Sequence, residues 1–164
     1  MGAIKTDGTL WTWGYNAFGE LGDNTTTNKS SPVQTVAGGT NWKQISGGSG
    51  TAAIKTDGTL WMWGYNSSGQ LGTNDTTDRS SPVQTVAGGT NWKQAFCNKT
   101  LSGAFTSGIK TDGTLWMWGD NSNDGNLGTN NLTSSSSPVQ TVAGGTNWRM
   151  VSLGRSIAMA IRKV

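Results

Sequence analysis

The 164-residue chain is long enough for one ordinary domain, but only 13% of its residues are charged, while 25 are glycine and nine are tryptophan. Such a neutral, Gly/Ser/Thr/Asn-rich chain is either disordered or a turn-rich all-β protein, and nine indoles exclude disorder because they offer a large apolar area to bury. The net charge of +3 arises after Asp124, where Arg149, Arg155, Arg162 and Lys163 meet no further acid; four cations are too few for a nucleic-acid stripe and read as a solubilised edge strand.

In chain order, the first elements are short strands at 3–6 and 9–13, separated by Asp7-Gly8 and ended by Gly14. A loop through Gly19, Leu21 and Gly22 leads into the polar stretch Asp23 to Lys29. Further strands follow at 32–37, opened by Pro32, and at 41–46, with Gly38-Gly39 turning the chain between them. The pattern then recurs. Ile4 to Trp11 returns at Ile54 to Trp61 and at Ile109 to Trp116, and Ser30 to Gln44 returns unchanged at Ser80 to Gln94 and in part at Ser136 to Trp148. In the middle copy, Asp57-Gly58 supplies the φ > 0 residues of a tight hairpin between Thr51–Lys55 and Thr59–Trp63. There Pro82 opens a strand over Val83–Ala87, and Gly88-Gly89 leads to the last one, Asn91–Phe96. The third copy is displaced by an insertion between Cys97 and Ser107 and a smaller one near Asp124.

Four short antiparallel strands in about 50 residues make one propeller blade, and no segment shows a helical period. The expected fold is therefore all-β, with three four-stranded blades per chain and an incomplete ring unless chains associate. The copies span about 1–50, 51–103 and 104–158, and a C-terminal extra strand lies at 157–162.

The run Gly47 to Gly72, with its Asp-Gly turn, Trp-Met-Trp-Gly strand and Asn-x-x-Gly-Gln-Leu-Gly segment, followed by Pro82-Val83, resembles the regulator of chromosome condensation repeat. The resemblance implies four-stranded blades and, in typical members, a ring of seven. The family often has a histidine where this chain reads Ser49-Gly50-Thr51, and this chain has no histidine; three repeats also cannot supply seven blades.

Trp11 and Trp13, Trp61 and Trp63, and Trp116 and Trp118 lie two apart, so each pair shares one strand face, with Leu10, Leu60 and Leu115 on the other. Both faces of a blade stack on neighbours, so these nine residues are expected to form the blade core. Trp42, Trp92 and Trp148 begin the last strand of each copy and are the better candidates for partial exposure, with the core still the favoured place for them.

Chemistry is hard to find. Without histidine the commonest base and metal ligand is missing. Asp7, Asp57 and Asp112 are explained by turns. Asp23, Asp75 and Asp78 resemble calcium ligands only faintly, because the third copy has Thr129, Asn130 and Asn131 there. Cys97, the single cysteine, excludes an intrachain disulfide, and no Gly-Lys-Ser/Thr run marks a phosphate loop. No enzyme activity, cofactor or metal is expected. Asn-x-Ser/Thr triplets at Asn24, Asn28, Asn66, Asn74, Asn98 and Asn131 are expected by chance in such a chain, no secretory signal is visible at Met1-Gly2-Ala3, and no apolar run approaches membrane-spanning length.

A constant framework with loops that differ is how recognition is usually arranged. Asn24, Lys29, Asn74, Asp75, Arg79, Asn130 and Asn131 in those loops are the candidate recognition residues. The expected role is a surface-exposed structural or adhesive component of a virion, tail fibre or microbial surface. The alternatives are a regulatory propeller, of the small-GTPase-exchange and chromatin-binding or enzyme-inhibitor type that the resemblance implies, and a lectin. Expected partners are a second copy of the chain or another protein, with a glycan as a further option.

Overall fold

The computed structural model describes residues 1–98 and 103–163. Thirteen strands and no helix are found among them: β1 Gly2–Ile4, β2 Leu10–Gly14, β3 Lys29–Gln34, β4 Trp42–Gly47, β5 Gly50–Lys55, β6 Leu60–Gly64, β7 Arg79–Gln84, β8 Trp92–Cys97, β9 Phe105–Lys110, β10 Leu115–Gly119, β11 Ser135–Gln140, β12 Trp148–Leu153 and β13 Ala158–Arg162. They build all-β propeller blades: complete sheets β4-β5-β6-β7 and β8-β9-β10-β11, flanked by the three-stranded β1-β2-β3 and the two-stranded β12-β13.

Blade and sequence copy are out of phase. The strand at 41–46 was grouped with the first copy, yet β4 pairs antiparallel with β5, Ile45 opposite Ala53. Loop length decides this. Two residues, Gly48 and Ser49, join β4 to β5, so β4 can only fold back on it as a hairpin, whereas residues 35–41 between β3 and β4 are enough to cross to the next blade. Residues 99–102 of the insertion before the third copy lie outside the described residues.

Two local expectations need correction. The third strand of a copy begins at Arg79 rather than after Pro82, which sits inside β7; the proline is tolerated because β7 is the edge of its sheet. In the turn after β5, only Gly58 has positive φ (80°). Gly58 N–H donates to the Lys55 carbonyl and Lys55 N–H to that of Thr59, so three residues form the loop and the glycine its bulge. A Cβ on Gly58 would also lie 2.1 Å from the Thr90 oxygen, so glycine is needed twice over.

The core lies between blades. One layer joins Leu60, Met62 and Leu71 of one blade to Trp92, Ala95, Cys97 and Trp118 of the next. The layers on either side repeat the arrangement around Leu10, Trp42 and Trp63 and around Leu115, Met117 and Val151. Each blade thus offers its Leu/Met row to the blade that follows and its tryptophans to the blade before. Thr12, which replaces the methionine in the first blade, is only 2% exposed and donates to the Leu21 carbonyl (2.6 Å).

Candidate functional site

The two ends of the strands differ in chemistry. At the Asp-Gly end, Lys5 Nζ sits 4.0 Å from the Trp11 ring, Lys55 4.6 Å from Trp61 and Lys110 4.4 Å from Trp116. Each indole Nε1–H donates to the hydroxyl of Thr9, Thr59 or Thr114, which donates in turn to Asp7, Asp57 or Asp112. Hydrogen bonds from the Thr9 hydroxyl and backbone hold the Asp7 carboxyl below the usual range. Those from the backbone and hydroxyl of Thr59 and of Thr114 do the same for Asp57 and Asp112. Three identical Lys–Trp–Thr–Asp stacks therefore line one rim.

Trp11, Trp61 and Trp116, expected in the blade core, are half-buried, with Trp61 and Trp116 packed against the core layers from their edge. The preceding blade's loop covers Trp63 and Trp118 at Glu20–Gly22 and Gln70–Gly72, while Trp61 and Trp116 lie edge-on to Trp42 and Trp92. In the last strand the core reading holds for Trp42 and Trp92, which are 3% and 1% exposed. They wedge between blades and donate to the Gly38 and Gly88 carbonyls at 2.8 and 3.0 Å. Trp148, in the two-stranded sheet, and Trp13, on the first sheet, stay half-buried because no blade covers them. Leu10, Leu60 and Leu115 are buried.

At the opposite end, each long loop is folded around a fully buried asparagine, Asn16, Asn66 or Asn121, that sequence reasoning passed over. Asn66 Nδ2 donates to the Asp75 carbonyl (3.1 Å), the Thr77 carbonyl (3.0 Å) and Thr73 Oγ1 (3.3 Å). Its Oδ1 accepts from Leu71 N–H (2.9 Å) and its own N–H donates to Asp78 (2.7 Å). The available signal was its recurrence five residues before Leu21, Leu71 and, with one residue added, Leu127. As glycosylation acceptors Asn66 and Asn98 are ruled out by burial.

Of the candidate recognition residues, Asn24 and Asn74 are engaged between blades. Both have φ of 61°. Asn24 N–H donates to the Ser80 carbonyl (2.9 Å) and its Oδ1 accepts from Ser81 (3.0 Å); Asn74 repeats this with Ser136 (2.8 Å) and Ser137 (3.1 Å). Lys29 pairs with Asp23 (3.4 Å) and Arg79 with Asp75 (2.6 Å) within their loops. Burial works to raise Asp23, but its bonds to Thr25, Asn16 and Lys29 prevail and lower it. Asn131 Oδ1 accepts from Thr133 N–H (2.9 Å), while Asn130, with φ of 59°, makes no side-chain bond among the described residues. The loops are thus prearranged platforms, exposed at Asn24, Asn74, Asn130 and Asn131. Among the described residues no cluster of three or more metal-ligating side chains occurs. Burial pushes the Cys97 thiol up to about 12.

Repeats of this pattern and topology match one family profile, the regulator of chromosome condensation (RCC1) repeat, at residues 7–54, 57–104 and 112–161. The chain belongs to that family. A second profile of the same repeat matches residues 42–70. Human WBSCR16 superposes with a TM-score of 0.81 at 21% identity, over 99% of this chain and 42% of its own. Prp20p of Saccharomyces cerevisiae, studied with its binding to Gsp1p and histones, gives 0.71 at 16% identity over 85% of this chain and 35% of its own. Yeast RCC1 (Prp20) bound by Kap60 gives 0.73 at 16% over 97% and 39%. The RCC1-repeat chain described here spans less than half the length of these structures. No curated protein matches it.

Proposed function

We propose that this RCC1-repeat chain is a non-catalytic protein-binding module, deployed as a surface-exposed structural or adhesive component of a virion, tail fibre or microbial surface. The observation that carries this reading is the contrast between framework and loops. Three near-identical blade units present, at one end, loops that differ in residue type while sharing one buried asparagine hub. A rigid frame that lets only the loop letters vary is a recognition device, and its low charge suits contact through neutral polar groups. The non-catalytic reading is supported by the lack of histidine in the sequence and by Cys97, whose thiol is buried and pushed up to about 12. A regulatory role is the second reading, favoured by the fold shared with Prp20p.

The test is affinity capture with the intact chain and with a variant whose loop 73–79 carries Asp75→Ser and Arg79→Ser, which removes the Arg79–Asp75 pair. Partners that bind the wild type and are lost or weakened at least tenfold by the variant support loop recognition. Equal capture by both overturns it. Loop-dependent binding on a glycan array instead would make the chain a lectin.

A further inference from the structure

The two finished blade junctions share one lock, and its halves stand open at opposite ends of the array. At the first junction Trp63 Nε1–H donates to the Glu20 carbonyl (2.9 Å), its ring lies against Gly22, Asn24 binds Ser80 and Ser81, and Ser80 lies against Gly19. At the second, Trp118 donates to the Gln70 carbonyl (2.9 Å) and lies against Gly72, Asn74 binds Ser136 and Ser137, and Ser136 lies against Gly69. The lock is therefore a glycine–x–x–glycine–x–asparagine socket and a Trp/Ser-Ser plug.

A third socket follows in the next blade at Gly125, Asn126, Gly128 and Asn130. A Cβ on Gly128 would meet nothing nearer than 3.8 Å, against 2.8 and 2.9 Å from the indole nitrogen at Gly22 and Gly72. Beside it runs a groove of about 360 Å³ lined by Leu115, Met117, Leu127, Val151, Ala158 and Ala160, among others. The unmatched plug is in the first sheet. Trp13 is half-buried with no acceptor for its Nε1–H among the described residues, and Ser30, Ser31 and Pro32 are exposed, whereas Pro82 and Pro138 are buried.

The free edge also fits. In the complete blade β5 pairs with β6, Ala53 opposite Trp61 and Ile54 opposite Leu60. β13 repeats β5, since Ile161 and Ala160 oppose Met150 and Val151 as Ile54 and Ala53 oppose Gln44 and Ile45, and among the described residues no strand pairs with its other edge. Within one chain β2 is paired with β3 along one edge and, along the other, only with the three-residue, largely exposed β1, whose Ala3-Ile4-Lys5 reads like Ala160-Ile161-Arg162 of β13.

We infer that the Gly125–Asn130 socket is a binding site for β2 and β3 of a second copy of this chain. In that junction β13 takes the place of β1 against β2, the incoming Trp13 donates to the Asn126 carbonyl, and Ser30 and Ser31 engage Asn130. This is strand addition with a tryptophan anchor. It stands whatever partner the variable loops take.

The test uses three full-length proteins in sedimentation at micromolar concentration: wild type, Trp13→Ala (plug removed) and Ala160→Glu (a carboxylate in the exposed groove wall). Far-UV circular dichroism checks that all three are folded. The wild type is expected as a closed association of two 17.2 kDa chains, and each variant alone as monomer. Mixing the two variants should restore a dimer, because the intact plug of Ala160→Glu meets the intact socket of Trp13→Ala. A monomeric wild type would overturn the inference. So would variants that still dimerise, or a mixture that stays monomeric.

Discussion

Replacing Trp63 with alanine probes the packing between blades most directly. Its indole is wholly buried between the first loop and the second blade, edge-on to Trp42 at 6.3 Å. About 200 Å² of side chain at about 25 cal/mol per Å² gives about 5 kcal/mol, an upper bound because unfolded chains are already partly compact. Large aromatics truncated in cores lose about 3–5 kcal/mol, and this site belongs in that range. The hydrogen bond adds little, because the Glu20 carbonyl that accepts from Trp63 also accepts from Thr51 Oγ1 at 2.9 Å and is not orphaned. Trp63→Phe should therefore cost only about 1–2 kcal/mol. Trp61, two residues away on the same face, is half-buried under Lys55, and Trp61→Ala should cost about 1–2 kcal/mol. Urea midpoints of the three variants, followed by circular dichroism, measure the order. If Trp61→Ala costs as much as Trp63→Ala, the reasoning about which tryptophan wedges between blades is refuted.

Further outcomes follow from single sites. Asn66→Ala should cost about 2–4 kcal/mol in the same assay, since it leaves Leu71 N–H and the loop carbonyls without their shared partner. Gly58→Ala should cost about 2 kcal/mol or more, from positive φ combined with the approach of Thr90. Burial, with a smaller contribution from Asp78, raises Glu20 above its usual 4.5. An acid raised on folding costs stability above its unfolded pKa and nothing below it. Glu20→Gln, the residue found at position 70, should therefore stabilise at pH 7 and have no effect near pH 3, read from urea midpoints at the two pH values. Cys97, buried and with its thiol pushed up to about 12, should react with a thiol reagent only on unfolding, which a denaturant titration of labelling reads.

The all-β propeller class, the repeated strands and the Asp-Gly and Gly-Gly turns were legible in the sequence because they depend on local chemistry: alternation, turn residues and a period of about 50 residues. Even Leu10, Leu60 and Leu115 could be placed by parity along a strand. The tertiary structure decided the rest. Parity sets Trp61 and Trp63 on one face but cannot say how far the neighbouring loop extends over that face, so one indole is half-open and the other sealed. Asn24 and Asn74 looked like free loop residues because their serine partners lie 56 to 63 residues further along the chain. The blade boundary, too, fell inside each sequence copy, because two residues between β4 and β5 force a hairpin while seven between β3 and β4 allow a crossing. That same offset leaves a plug at one end and a socket at the other, which no single repeat, however closely copied, displays by itself.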